Sequence, residues 1–194
     1  MESERLQYER LHPAEFDSLE LYKHASTDAP AIDEITRHVT WEPYGTPKEA
    51  FDWVKRCGNA SDSGEDATYV IRPKSGDRAG EFAGLAGIHP NWKRRQATLG
   101  TWLRKSFWGN GYSGERAARM LKLAFEQLDI EVVIVSHDPE NQKSRRAIEK
   151  YVERFGGRRE GLIRNDIVMD GHPRDSVYYS ISREEYAAAV EDQE

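Results

Sequence analysis

The run Phe107-Trp108-Gly109-Asn110-Gly111-Tyr112-Ser113-Gly114-Glu115 constrains this chain most, because it sets a glycine-rich turn between a strand-like segment and an amphipathic helix. Glycines let the backbone turn tightly and aim successive N–H groups into one concavity. The helix behind them adds the partial positive charge of its N-terminus, and together the two suit a phosphate or pyrophosphate. Ala117, Met120, Leu121, Ala124, Phe125 and Leu128 recur at steps of three and four, with Arg116, Arg119, Lys122 and Glu126 on the polar side. Ahead of the turn, Ala97, Leu99, Thr101 and Leu103 alternate with Thr98, Gly100 and Trp102 as in a strand, and Arg104 and Lys105 bring positive charge to its end.

Gly109, Gly111 and Gly114 also satisfy the dinucleotide fingerprint G-x-G-x-x-G, with Asp138 placed to imitate its ribose-binding acid. That fingerprint starts at the end of a continuously apolar buried strand, whereas an alternating strand and a charged spacer precede the glycines here. A Walker-type loop is excluded because no Gly-Lys-Ser/Thr follows. A second element separates a functional turn from a plain helix cap. Val132 to Val135 runs into Ser136-His137-Asp138-Pro139-Glu140-Asn141-Gln142-Lys143-Ser144, and a helix follows with Ala147, Ile148, Tyr151, Val152 and Phe155 on its apolar face.

The order strand, glycine turn, helix, strand, Asn-x-x-Ser, helix resembles the GCN5-related N-acetyltransferase (GNAT) superfamily, in particular its RimJ/RimL-like branch of ribosomal-protein-alanine N-acetyltransferases. The likeness rests on TWLRKSFWGNGYSGERA at 101–117, HDPENQKSRRAIEKY at 137–151 and GGRREGLIRND at 156–166. Against the superfamily pattern Gln/Arg-x-x-Gly-x-Gly/Ala, the chain has Trp108 first, Gly111 fourth and Ser113 last. The resemblance implies an α+β fold: a mixed, mainly antiparallel seven-stranded sheet flanked by helices, with a splay between the two central strands. It implies acetyl-CoA as co-substrate and no metal.

By the same resemblance, Trp102, Leu103 and Arg104 lie where the family pairs a strand with pantetheine. Backbone donors of Trp108, Gly109, Asn110, Gly111, Tyr112 and Ser113 surround the pyrophosphate, Asn141 contacts the pantetheine arm, and Ser144 lies near the sulfur as a general acid. The acceptor amine must lose a proton, and His137 and Glu42 are the candidate bases. Each has a bland counterpart, a structural histidine at a strand end and an ordinary loop carboxylate. Tyr151 reads as core, and Glu160 as a structural ion pair as readily as a base. Trp41, Tyr44 and Tyr178 are the candidate acceptor-binding residues. The implied acceptor is a primary amine, a protein N-terminal α-amine first. A small-molecule amine is one alternative, and a non-catalytic acyl-CoA-binding module is another. Relatives of this kind often pair as homodimers.

A chain of 194 residues with 38% hydrophobic content and no repeat suits one domain, 1–194. Its net charge of -6 argues against a general nucleic-acid footprint, and Lys93, Arg94 and Arg95 form only a small basic cluster. Cys57 stands alone, so an internal disulfide is excluded. No secretory or membrane-spanning apolar run is evident, and the expected address is the cytoplasm, away from membranes.

Further elements follow from pattern. A strand is expected over Arg5–Leu11, helices over Pro13–His24, Ala31–His38 and Pro47–Arg56, and a polar loop over Gly58–Asp66. Strands are expected over Tyr69–Pro73 and Glu81–His89, and a hairpin joins Leu162–Val168 to Ser176–Ile181 through Asp170-Gly171. A last helix covers Glu184–Val190.

Overall fold

The computed structural model describes residues 1–169 and 171–192. Seven strands form: β1 (Leu6–Arg10), β2 (Ala67–Pro73), β3 (Gly84–Asn91), β4 (Gln96–Leu103), β5 (Val132–His137), β6 (Arg158–Met169) and β7 (His172–Ser182). Their order in the sheet is β1-β2-β3-β4-β5-β7-β6. β1–β2, β2–β3, β5–β7 and β6–β7 pair antiparallel and β4–β5 parallel, which is the mixed, mainly antiparallel sheet expected. The parallel ladder matches Gln96, Ala97 and Thr98 with Val132, Val133 and Ile134, although β4 continues to Leu103. On its other edge β5 stays paired with β7 through His137↔Val177. The helices are α1 (Ser18–Ala25), α2 (Ile32–Thr36), α3 (Pro47–Asp62), α4 (Tyr112–Glu126), α5 (Gln142–Arg154) and α6 (Arg183–Glu191).

The chain forms two compact units, Met1–His89 with Gly100–Tyr112, and Pro90–Leu99 with Ser113–Glu194. In the first, Leu11, Leu21, Ala50, Val54, Val70, Phe82 and Leu85 make the core, with Trp41, Tyr44 and Trp102 packed against it. The half-buried Arg72 holds this unit together from β2. Its Nε donates to Glu9 at 2.7 Å and its Nη2 to Glu20 at 2.6 Å. Hydrogen bonding from Arg72 holds the Glu20 carboxyl below the usual carboxylate range, against the opposing effect of its burial.

His24 on α1 stacks on Phe82, ring centroids 5.5 Å apart and 13° from parallel. Burial, aided by the nearby Arg104 and Lys23, pushes its pKa down to about 4. The folded state therefore binds this proton less readily than the unfolded chain, whose histidine titrates near ~6.5. Its neutral form leaves stability intact above that pH; stability falls as pH drops from about 6.5 toward the folded value. Urea midpoints measured across that interval should decline, and His24→Gln should remove part of the decline. A slope identical in both proteins would contradict this assignment.

In the second unit, Met120, Leu121 and Ala124 of α4, Ile148 and Val152 of α5, and Val133 and Val135 of β5 are all buried. Full burial of a side chain such as Leu121 contributes roughly 1.5–3 kcal/mol. Ser182 and Glu185 form a reciprocal capping box that starts α6. Gly157 is needed for close packing, because a Cβ there would lie 2.4 Å from the Ser180 carbonyl oxygen.

Several sequence expectations are corrected. α1 starts at Ser18 rather than Pro13, because the Asp17 side chain accepts from Leu19 N at 2.9 Å and sets the N-cap there. α3 continues to Asp62 through the segment expected to be a loop. Gly58 marks close packing there, not a break: a Cβ on it would fall 2.6 Å from Pro13 Cδ. β3 starts at Gly84 rather than Glu81, and β6 starts at Arg158 and carries two register irregularities. Arg116, assigned to the polar side of α4, is only 2% exposed. It shares the i, i+4 row of Met120, and its charge acts on the buried Tyr151 hydroxyl. Met169 pairs with His172 across the hairpin, but Asp170 of the expected Asp170-Gly171 turn lies outside the described residues.

Candidate functional site

The glycine turn takes the shape its composition asks for. A 3-10 turn over Lys105–Phe107 ends β4's extension, and Trp108 N–H closes it on the Lys105 carbonyl at 3.0 Å. Gly109 and Gly111 then adopt φ of 80° and 76°, the left-handed region in which a side chain is strained. α4 begins at Tyr112, so the first N–H groups of that helix, which lack intrahelical partners, follow the glycines directly.

Three contacts hold the turn from outside its own backbone. The Trp108 indole donates to the Leu103 carbonyl at 2.9 Å, and Asn110 Nδ2 donates to the Phe107 carbonyl at 3.1 Å. Arg5 reaches across from the start of the chain, donating to the Asn110 carbonyl at 3.0 Å and lying 5.1 Å from the Tyr112 ring centre. No local sequence signal marks Arg5, whose partner lies 105 residues away. The Gly109 Cβ position has no heavy atom within 4 Å, so the turn presents open backbone on that side. Open N–H groups, a helix N-terminus and a neighbouring guanidinium fit the diphosphate of an acyl carrier.

At the end of β4, Trp102 is half-buried and Leu103 buried. Arg104 N–H donates to the Ala83 carbonyl at 2.8 Å and its guanidinium to the Phe82 carbonyl at 2.8 Å. The Leu103 carbonyl and the Arg104 N–H, two backbone groups assigned to pantetheine, thus already have protein partners. Trp102, Trp41 and Tyr44 form an aromatic wall, with centroids 5.2 Å apart for Trp41–Trp102 and 6.3 Å for Trp41–Tyr44. Burial is the main cause that raises the Tyr44 hydroxyl well above its ordinary range, keeping it a neutral donor. Glu42 between them is exposed.

In the second unit, Asn141 is the N-cap of α5, its Oδ1 accepting from Ser144 N at 3.0 Å. That leaves the Asn141 amide N–H₂ as a donor and puts Ser144 in the first turn of the helix. Ser113 is half-buried where α4 starts. His137 is 6% exposed and both its ring nitrogens are engaged, Nδ1 with the Asp138 carbonyl at 2.8 Å and Nε2 with the Tyr179 hydroxyl at 3.3 Å. Tyr179 in turn contacts Glu149, which is paired with Arg145. The strand-end histidine therefore sits inside a hydrogen-bonded network.

Tyr178 borders an open cavity of about 580 Å³ with Arg94, Gln96, Thr98, Ile134 and Glu160. Its hydroxyl donates to Asp166 at 2.8 Å, and Ser180 donates to Glu160. Among the described residues, no group of three His, Cys, Asp or Glu side chains is placed to hold a metal ion, and no helix is long and apolar enough to cross a membrane.

Comparison with known proteins gives a family and a fold. Residues 6–151 match the family described as "Acetyltransferase (GNAT) domain". YdaF of Bacillus subtilis (strain 168), by name a ribosomal N-acetyltransferase, is 31% identical over 108 residues, 55% of this chain and 57% of its own length. The chain thus aligns with little more than half of that relative. Among solved structures, a Vibrio cholerae protein assigned as a ribosomal-protein-serine acetyltransferase superposes with a TM-score of 0.73 at 21% identity, covering 93% of this chain and 95% of its own. The Vibrio cholerae spermidine N-acetyltransferase in complex with CoA and spermine gives 0.74 at 17% identity, covering 95% and 99%. These two likenesses establish a shared fold.

Proposed function

Because the chain belongs to the GNAT acetyltransferase family, we propose that it transfers the acetyl group of acetyl-CoA directly to a primary amine, with a protein N-terminal α-amine as the favoured acceptor. The observation that carries this reading is the turn Trp108–Gly111, with two left-handed glycines, an indole tie to Leu103 and Arg5 at its side. Backbone N–H groups from Gly109 through Ser113 bind the diphosphate. Trp102 to Arg104 and the Asn141 amide border the pantetheine arm, and Ser144 gives a proton to the departing thiolate.

The thioester is already activated, so the protein's work is to position the amine, accept its proton and protect the leaving sulfur. Trp41 and Tyr44 in the first unit, and Tyr178 in the second, supply aromatic rings, and the two tyrosines hydroxyl ends, of kinds suited to a peptide terminus. The ribosomal assignment in YdaF's name supports a protein acceptor. The spermidine enzyme's name supports a second reading, a small-molecule amine. Absence of a long apolar helix among the described residues is compatible with a cytoplasmic enzyme, and pairing into a homodimer is part of the same proposal.

Thiol release from acetyl-CoA, followed against Ala- and Ser-starting peptides and against polyamines, tests the acceptor. Peptide turnover above polyamine turnover is expected; the reverse order overturns the N-terminal reading. Ser144→Ala should lower turnover by roughly 10²-fold, the low end of general-acid effects, with acetyl-CoA affinity retained. Undiminished turnover would remove Ser144 from the mechanism.

A further inference from the structure

An exposed histidine–carboxylate pair beside β2 and β3 has no part in the reading above. His89 lies on β3, and its Nδ1 is 2.9 Å from Oδ1 of Asp66, the residue before β2 begins. Both side chains are 45% exposed, so the pair is open to a substrate and to water. A carboxylate at Nδ1 fixes the tautomer with the proton on that nitrogen and leaves Nε2 as the basic atom.

Two glycines decide where Nε2 lies. A Cβ added to Gly87 would fall 2.7 Å from Nε2, and one added to Gly100 would fall 3.3 Å from it. Side chains alternate across a strand, so Leu85, Gly87 and His89 share one face of β3, and Gly100 and Trp102 share one face of β4. The imidazole lies at the Cβ positions of both glycines, which places it on the face that carries Trp102. Trp41 and Leu85 pack on that face as well. Any side chain at residue 87 would displace the ring. Position 100 is two residues from Trp102, about 7 Å along the strand. Thr101, on the opposite face of β4, is tied to the Leu85 carbonyl at 2.7 Å, which fixes the strand under the ring.

Resting on the acetyl-transfer reading, we infer that His89, oriented by Asp66 over the glycine floor of Gly87 and Gly100, is the general base that takes the proton from the acceptor amine. The amine enters as an ammonium and yields one proton to His89 Nε2, directly or through one water, and Nε2 passes it to solvent. Its nitrogen then attacks the thioester carbon. The C–N bond forms, the C–S bond breaks, and the second nitrogen-borne proton ends on the departing sulfur. Asp66 is the charged side chain that pairs with the ring. From β3 and β4 the ring meets Gly87 and Gly100, which do not titrate. A positioned imidazole is the side chain that most often serves as a general base. Neither His137, with both nitrogens engaged, nor the exposed Glu42 has an orienting carboxylate of this kind.

The test is the pH dependence of kcat/KM for the full chain, its His89→Gln and His89→Ala variants and Asp66→Asn, with the best acceptor from the amine panel. Acetyl-CoA affinity is measured alongside by calorimetry. The wild type should show a histidine limb in addition to the limb of the acceptor amine. Both His89 variants should lose the histidine limb and about 10²-fold of kcat/KM at pH 8, with acetyl-CoA affinity within twofold of wild type. Added imidazole should restore activity to His89→Ala, and Asp66→Asn should move the limb to lower pH. A limb that persists in both His89 variants, or a loss uniform across pH, overturns the inference. Failure of every amine to release thiol from acetyl-CoA would instead overturn the transfer reading beneath it.

Discussion

Gly111→Val is expected to weaken acetyl-CoA binding at least ~100-fold, about 2.7 kcal/mol, while leaving a folded protein. Gly111 holds φ at 76°, and a β-branched side chain there costs of order 1–3 kcal/mol in backbone strain. Valine would relieve that strain by rotating the peptide units on either side, which turns their N–H groups away from the concavity. The new side chain also meets Arg5, whose Nη2 lies 3.4 Å from the added Cβ. Strain and lost geometry are separable by a control. Gly64, in the loop after α3, has φ of 71° with open space around its Cβ position. Gly64→Val should cost similar stability and leave acetyl-CoA affinity unchanged. Calorimetric titration of both variants checks the contrast; equal affinities would show that the turn does not hold the carrier.

The largest stability effect is expected at Gly84, where β3 passes β4. A Cβ there would sit 2.1 Å from the Trp102 carbonyl oxygen and 2.7 Å from the Leu103 Cα. Both are backbone atoms of a hydrogen-bonded strand, so no side chain can swing aside. φ is +153°, so the backbone itself resists an L side chain. Gly84→Ala should therefore cost more than ~4 kcal/mol, the range reserved for enforced clashes. Gly80→Ala, with φ of 76° and nothing within 4 Å of its Cβ, should cost about 1 kcal/mol. Urea denaturation of the two variants gives the comparison, and a Gly84→Ala loss no larger than that of Gly80→Ala would contradict the close approach. The position links fold to site, because the same crossing fixes the backbone of Trp102 and Leu103.

Local chemistry made much of this legible in the sequence. The alternation from Ala97 to Leu103, the glycine turn and the three-and-four spacing after it placed β4 and α4 within a few residues. Asn-x-x-Ser announced the start of α5, where Asn141 caps Ser144. Tertiary packing hid the rest. Gly58 reads as a helix breaker, yet it is the residue that lets α3 lie against His12 and Pro13. Arg116 reads as polar surface, and only the packed structure reveals that it is buried. Arg5 and the His89–Asp66 pair depend on contacts across 105 and 23 residues, which no periodicity encodes. His137 drew notice for its strand-end position, whereas its engagement by Asp138 and Tyr179 is visible only in three dimensions.

Thermal unfolding of the wild-type chain with acetyl-CoA, CoA or NAD tests the central claim most directly, namely that the backbone of 109–113 grips the diphosphate of an acyl carrier. A ligand at 100 times its Kd stabilises the native state by about 2.7 kcal/mol. For a chain of 194 residues that is a rise of roughly 5–10 °C in Tm. Acetyl-CoA and CoA should each give that rise, NAD should give none, and Gly111→Val should abolish it. An unmoved Tm with acetyl-CoA, or a larger rise with NAD, would contradict the account.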